Sequence, residues 1–161
     1  MTARNNINKV QKGFTLIELL VVIGILAVLL AITLIAINPA RQFAQANNTK
    51  RSSDVNAILN AVHQYAVDNN GTMPATIPTT ATAISNALTN FCTNLIPAYI
   101  AALPSDPTAG TGTAANGANV ATCTGTWGTG YTIQSTGASG GNRITVTAPS
   151  AELSEVISVT R

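Results

Sequence analysis

The chain has 161 residues, of which 46% are hydrophobic and only 9% are charged. This length allows one compact domain, and such a low charge is unusual for a soluble cytosolic domain. Three of the eight basic residues precede the first apolar segment, so the rest of the chain holds five basic and six acidic residues, a balance of −1. Its scattered cations do not form the basic groove that nucleic acids require, and nucleic-acid binding is not expected.

A basic leader and a long apolar segment come first. Residues 1–13 are polar or basic, and Glu18 is the only charge in the apolar segment that follows. Residues 14–37 would form a helix of roughly 36 Å, which is long enough to cross a bilayer. The basic flank predicts a cytoplasmic N-terminus and export of residues 38–161. A secretory signal peptide is the alternative, because Ala44-Gln45-Ala46 offers a cleavage pattern, but its apolar segment would usually be about 7–15 residues long.

An amphipathic helix is expected to follow the apolar one. Apolar residues recur at helical spacing after Pro39, with polar residues on the opposite face, and Gly71 is a candidate C-cap. The simplest prediction is one stem helix of about 55 residues, amphipathic over residues 38–70, in which Pro39 kinks or loosens one turn. The apolar positions are Val55, Ile58, Leu59, Val62, Tyr65 and Ala66.

Loops and a short helix are predicted next. Residues 72–82 are rich in Thr and Pro and predict a loop. Apolar residues from Ile84 to Leu95 recur at helical spacing and predict a helix that Pro97 ends. The Gly- and Thr-rich stretch from Leu103 to about residue 128 predicts an irregular surface loop.

A small antiparallel sheet is predicted at the end of the chain. Apolar and polar residues alternate with period two in residues 131–134 and 144–147, on either side of the turn signal Gly140-Gly141. Residues 156–159 could add another strand. The sequence therefore predicts an α+β fold, in which a long N-terminal helix packs on an antiparallel sheet of three or four strands.

Cys92 and Cys123 lie in the part of the chain that is predicted to be exported. Disulfides persist outside the cytosol, so a bridge is expected, and it would stabilise the domain by about 3–4 kcal/mol on the chain-entropy model. Two unpaired buried thiols are the alternative. With the distant His63 these cysteines lack the spacing of a metal site, and no cofactor is expected.

Motifs for catalysis and for covalent modification add little to the prediction of function. No nucleophile and base stand in a recognisable arrangement, so the sequence does not predict an enzyme. Asn47-Asn48-Thr49 and Asn70-Gly71-Thr72 match the acceptor pattern for N-glycosylation, although so short a pattern often arises by chance.

The segment Lys12-Gly13-Phe14-Thr15-Leu16-Ile17-Glu18-Leu19 resembles the processing site of type IV prepilins and of the pseudopilins of type II secretion. The resemblance implies that a prepilin peptidase cuts between Gly13 and Phe14 on the cytoplasmic side and then methylates Phe14. It also implies a ladle-shaped subunit that is anchored once in the inner membrane and that a membrane assembly platform polymerises into a filament through its N-terminal helix. A secreted or membrane-tethered binding module that never polymerises is the alternative function.

Glu18 is the single residue for which the sequence gives the clearest reason to expect a role in assembly. A carboxylate within an apolar membrane segment costs several kcal/mol unless it is paired or reaches the interface. The resemblance implies that it pairs with the new α-amine of Phe14 in a neighbouring subunit. The alternative is that Glu18, one turn into the helix, extends to the lipid headgroups.

The segment Leu103-Pro104-Ser105-Asp106-Pro107 resembles a part of the major pseudopilins that leads into a calcium-binding loop. This likeness favours a secretion pseudopilin over a pilus pilin. Asp106 is, however, the only carboxylate from there to Tyr131, whereas calcium prefers six to eight oxygen ligands. Bound calcium is therefore not expected.

Overall fold

The computed structural model describes residues 13–74, 77–110, 118–137 and 143–161, and the chain divides into two compact units, residues 1–39 and 40–161. The first unit contains helix α1, Leu16–Ile37, none of whose residues is buried. Among the described residues, α1 is the one helix that is long and apolar enough to cross a membrane. The leader before Gly13 lies outside the described residues.

Helix α1 does not continue directly into the next helix. Asn38 adopts the left-handed conformation, with φ 47°, and a separate helix α2 begins at Pro39 and ends at Asp68. A residue that precedes proline is disfavoured in the right-handed helical region, which explains why the stem helix is interrupted at this residue. The loosened turn expected at Pro39 is thus a full interruption at Asn38.

The apolar face predicted for α2 is the face that the second unit buries. Val55, Ile58, Leu59 and Val62 are fully buried, whereas Val67 on the same helix is 78% exposed. The helix ends as predicted: Gly71 has φ +84°, and its N–H donates to the carbonyl of Ala66 at 2.7 Å. Glycine adopts this conformation without steric cost.

Four antiparallel strands form one sheet in the order β1-β2-β3-β4. Their bounds are Thr82–Ser85 for β1, Gly128–Ser135 for β2, Ile144–Ala148 for β3 and Ile157–Thr160 for β4. The alternation predicted for residues 131–134 and 144–147 is confirmed, because buried and half-buried residues alternate along β2 and β3. The further strand predicted at residues 156–159 is present as β4. The predicted turn at Gly140-Gly141 lies outside the described residues. The α+β class is confirmed.

Strand β1 replaces the start of a predicted helix. The helix expected from Ile84 to Leu95 is wrong over its first half, where Ile84 belongs to β1 and pairs beside β2. A short 3-10 helix, Asn86–Leu88, and helix α3, Thr89–Leu95, follow. Ile84, Leu88 and Leu95 are nevertheless all buried, since their spacing reports a common apolar face and not the backbone conformation beneath it.

One hydrophobic core joins α2, the sheet and α3 in the second unit. The predicted disulfide between Cys92 and Cys123 is present, and both residues are buried in this core. It ties α3 to the segment that follows the five-residue helix α4, Ala118–Thr122, which lies where the sequence predicted irregular loop. Trp127, the chain's single tryptophan, is 1% exposed in the same core.

Val62 and Val67 offer a matched test of this packing. Val62→Ala is expected to lower the free energy of unfolding by about 2 kcal/mol, since it removes buried methyl groups and leaves a cavity. Val67→Ala makes the same chemical change at an exposed position of the same helix, and its effect should stay within about 0.5 kcal/mol. Urea unfolding of the full chain in detergent, followed by the fluorescence of Trp127, measures both. Equal effects of the two substitutions would contradict the assigned face.

Candidate functional site

The candidate processing site lies immediately before α1. Gly13 and Phe14 belong to no helix or strand, and Phe14 is 85% exposed. A Cβ added at Gly13 would meet no atom within 4 Å, so the described part of the chain gives no internal reason for glycine at this position. Gly13 and Phe14 are therefore both exposed with respect to the described residues.

Glu18 forms a capping box with Thr15 at the start of α1. Its Oε2 accepts hydrogen bonds from the backbone N–H and from Oγ1 of Thr15, both at 2.8 Å, and the N–H of Glu18 donates to Thr15 Oγ1 at 3.3 Å. These bonds satisfy groups that a helix N-terminus leaves unpaired. The Thr-x-x-Glu spacing is a recognised signal for this cap, but the sequence analysis considered Glu18 only as an assembly residue.

A buried cation in the second unit was not anticipated from the sequence. Arg51 lies on α2 with a side chain that is 0% exposed, and its guanidinium donates five hydrogen bonds, as many as it has N–H groups. Two of them reach Asp106, at 2.7 and 3.2 Å. The others reach Asn48, Glu152 and Thr108.

Asp106 is held from several directions at once. Besides Arg51, its Oδ1 accepts from the N–H groups of Thr108 and Ala109 at 2.8 and 2.9 Å. Burial alone would raise the pKa of Asp106, but the hydrogen bonds from Arg51, Thr108 and Ala109 outweigh it and lower the pKa to about 2. The carboxylate is therefore ionised at neutral pH and paired inside the protein.

Close approach of the Asp106 loop to the sheet depends on one glycine. The N–H of Asp106 donates to the carbonyl of Thr129 in β2 at 2.7 Å. At the next residue, Gly130, a Cβ would stand 2.7 Å from that of Asp106, and the φ of Gly130 is +81°. No other residue fits there without moving the loop.

Glu152 connects the same cation to the segment before β4. Its Oε2 accepts from Arg51 at 2.9 Å and from Asn47 at 3.0 Å, and these two bonds lower the pKa of Glu152. Its backbone exchanges hydrogen bonds with the side chain of Asn48, which also donates to Glu155. Leu153 and Ser154, between the two glutamates, both have positive φ, so these contacts hold a turn that non-glycine residues rarely adopt.

The arrangement bears on the calcium question. Asp106 directs both carboxylate oxygens at Arg51 and at its own loop, so a guanidinium already neutralises the carboxylate that a cation would need. Within the described residues, no group of three or more His, Cys, Asp or Glu side chains is placed to hold a metal ion. Of the site residues that the sequence predicted, the structure brings Cys92 and Cys123 together in a disulfide.

Comparison with known proteins gives one match. Residues 8–34 match the family described as the prokaryotic N-terminal methylation motif, the hallmark of type IV pilin and pseudopilin prepilin-type proteins. This motif supports a substrate of prepilin peptidase and, with the N-terminal apolar helix, anchoring in the inner membrane. No curated protein and no solved structure matches the chain. The α+β layout fits a pilin-like fold, and the motif marks structural subunits, not an enzyme family.

Acid is expected to destabilise the second unit through Asp106 and Glu152. The pKa values of both groups are lower in the folded protein than in an unfolded chain, where Asp and Glu titrate near 3.9 and 4.3. Such groups contribute stability above the unfolded pKa and lose that contribution as the pH falls through the folded pKa. The contribution of these groups to the free energy of unfolding should therefore be constant above about pH 5 and fall between about pH 4 and pH 2. Urea titrations at several pH values, followed by Trp127 fluorescence, measure it.

Arg51→Met and Lys50→Met form the matched pair for this test. Loss of Arg51 leaves buried Asp106 without its cation and should lower the free energy of unfolding by about 3–5 kcal/mol at neutral pH. The further fall in this free energy between about pH 4 and pH 2 should be smaller in Arg51→Met than in the wild type. Lys50 is 51% exposed and pairs with Asp54, so its loss should cost less than about 1 kcal/mol. If Arg51→Met were as stable as the wild type, or kept the whole acid dependence, Arg51 would not be the group that holds these carboxylates.

Proposed function

We propose that the chain is a structural subunit of an extracytoplasmic filament, a type IV pilus or a type II secretion pseudopilus, which prepilin peptidase processes before assembly. The observation that carries the proposal is the accessible Gly13–Phe14 bond directly before an apolar helix that bears the methylation motif. In this proposal residues 1–13 are the cleaved leader, residues 14–37 form the membrane and assembly helix, and residues 38–161 form the exported head.

The openness of the processing site supports cleavage between Gly13 and Phe14. No described atom lies within 4 Å of an added Cβ at Gly13, and the residue is not in the left-handed region. The described part of the fold therefore does not require glycine at position 13. Recognition by the peptidase is the simplest remaining reason for a glycine at this position. A small residue lets the backbone lie extended at the bond that is cut.

Polymerisation is supported by the uncovered apolar surface of α1. Every large apolar side chain from Leu16 to Ile37 is at least half exposed. In a bilayer, lipid covers this surface, but once a subunit leaves the membrane the same surface costs free energy in water. Packing of α1 against other copies of α1 removes that cost without any further partner.

Glu18 gives a reason for ordered insertion of each subunit. The capping box occupies its Oε2, while Oε1 accepts no hydrogen bond from the described residues. Cleavage creates a positive α-amine at Phe14, and a neighbour's Glu18 can neutralise it in a medium of low dielectric constant. An isolated charge is strongly disfavoured there, so an incoming subunit that forms the pair is favoured over a gap.

Export of the head is supported by its disulfide, which forms in oxidising compartments and is rare in the cytosol. The proposed partners are therefore prepilin peptidase at the cytoplasmic face, copies of the same chain and related pilins in the filament, and an assembly platform in the membrane. The Leu103–Pro107 segment favours a secretion pseudopilus over a pilus.

Processing is tested by the intact mass and N-terminal sequence of the protein from its native membrane. The expected chain begins at methylated Phe14 and is two hydrogens lighter before reduction than after it. Gly13→Val should remain uncut, because the added side chain occupies the groove position, while the fold is unaffected since nothing lies within 4 Å of Gly13. A wild-type chain that keeps its leader in cells with active prepilin peptidase would leave only a membrane anchor.

Assembly is tested with Glu18→Gln beside Glu18→Ala. Glutamine keeps an oxygen that can accept the Thr15 hydrogen bonds but has no charge, whereas alanine loses both. If charge pairing drives assembly, both variants should be cut normally and should yield far less sheared filament than the wild type. Wild-type filament from Glu18→Gln together with a loss in Glu18→Ala would assign Glu18 to the helix cap instead. Normal filament from both would refute its role in assembly.

A further inference from the structure

Two Asn-x-Thr motifs lie in the second unit, and the fold places them in opposite settings. Asn47-Asn48-Thr49 lies within α2, and Asn70-Gly71-Thr72 lies in the turn after α2 ends. A short acceptor pattern has meaning only where an exported protein presents it on an accessible surface turn or loop. The structure can therefore separate the two motifs, which the sequence cannot.

The motif at Asn47 is not accessible to a transferase in the folded protein. Its Nδ2, the atom that would accept a sugar, donates to Glu152 Oε2 at 3.0 Å, and the residue is only partly exposed. The Oγ1 of Thr49 donates to the carbonyl of Gln45 at 2.9 Å. Asn48 between them is 4% exposed and bonded to Arg51 and Glu155. A transferase could reach Nδ2 only after this part of α2 unwound and its contacts with Glu152 broke.

The motif at Asn70 is accessible in the folded protein. All three of its residues are exposed and lie beyond the last helical residue, with φ 54° at Asn70 and +84° at Gly71. Backbone hydrogen bonds hold the turn, from Gly71 to Ala66 at 2.7 Å and from Thr72 to Asn69 at 3.0 Å. The side chains of Asn70 and Thr72 make no hydrogen bond to the described residues. Both groups of the acceptor pattern are thus presented without any unfolding.

A groove of about 490 Å³ begins at the same turn. Asn70, Met73, Ile77, Thr79 and Ser135 are among the residues that line it, so its walls mix polar and apolar groups. A pyranose has polar edges and an apolar face, and such a wall suits it. A sugar on Asn70 would start at the mouth of this groove.

We propose that Asn70 is the acceptor of an N-linked oligosaccharide, and that Asn47 is not. The donor would be a lipid-linked oligosaccharide, and an oligosaccharyltransferase would act on the exported head. Nδ2 of Asn70 forms a bond to the anomeric carbon, the bond from that carbon to the lipid diphosphate breaks, and the Nδ2 proton passes to a base of the transferase. The lipid diphosphate leaves, and no oxidant or reductant is needed.

The inference rests on the export of the head in the proposed function, but not on polymerisation. Its test is glycopeptide mapping of the full chain from its native membrane, as wild type, Asn70→Gln, Asn47→Gln and Thr72→Ala. We expect a saccharide mass on the peptide that contains Asn70, its complete loss in Asn70→Gln and Thr72→Ala, and no change in Asn47→Gln. Thr72→Ala changes an exposed side chain, so it should leave Trp127 fluorescence and unfolding unchanged. Asn70→Gln should lower the free energy of unfolding slightly, because asparagine tolerates the φ of 54° better than glutamine does.

The N-terminus and the disulfide, read from the same sample, separate the possible failures. A chain that begins at Phe14 and carries the bridge, but whose Asn70 peptide has only its bare mass, overturns the modification and leaves the filament proposal intact. A saccharide on Asn47 overturns the argument from accessibility. A chain with free thiols and an intact leader shows a head that was not exported, which refutes both proposals together.

Discussion

The second unit depends on the pairing of one buried guanidinium. Arg51 on α2 binds the Asp106 loop through two hydrogen bonds and the segment before β4 through Glu152, so a single side chain connects three parts of the chain that are distant in sequence. The chain has few large aromatic residues to fill a core, since 4% of it is aromatic. A cation whose five N–H groups are all used supplies the specificity that apolar packing alone leaves open, because each of its partners has one permitted position.

The other contacts of the unit are consistent with this arrangement. Gly130 lets the Asp106 loop approach β2, and the N–H of Asp106 bonds to Thr129 there. The hydroxyl of Tyr131, in the same strand, donates to Asp54 at 2.7 Å, one turn along α2 from Arg51. Burial and this contact with Asp54 raise the pKa of Tyr131, so the hydroxyl stays protonated and remains a donor. At the edge of the core, Tyr131 is thus paired with Asp54 and Asp106 with α2, and the disulfide is buried in the same core.

The two units differ in how far their apolar surface is buried and their charges are paired. In the second unit, one hydrophobic core is buried, and the buried Arg51 is paired with Asp106 and Glu152. In α1 the apolar surface is uncovered and its one charge stands at the first turn, where the capping box satisfies it in part. A subunit that moves from lipid into a filament requires this combination, since α1 can exchange one apolar surrounding for another while the head keeps its structure. In the proposed function, a glycan at Asn70 would lie on the exported head and not on α1.

The sequence by itself determined the features that depend on local order along the chain. These are the apolar length of α1, the Gly13-Phe14 junction with Glu18, the buried stripe of α2 and the alternation in β2 and β3, because period and composition act over a few residues. Only the tertiary structure decided which distant groups meet. Residues 82–85 became a strand because β2 offers backbone partners to Thr82, Ala83 and Ser85. Asp106 became an ion-pair partner because Arg51 reaches it across 55 positions. The same holds for the two Asn-x-Thr motifs, which are equivalent as sequences and differ because α2 and Glu152 hold one of them while the other lies in an exposed turn.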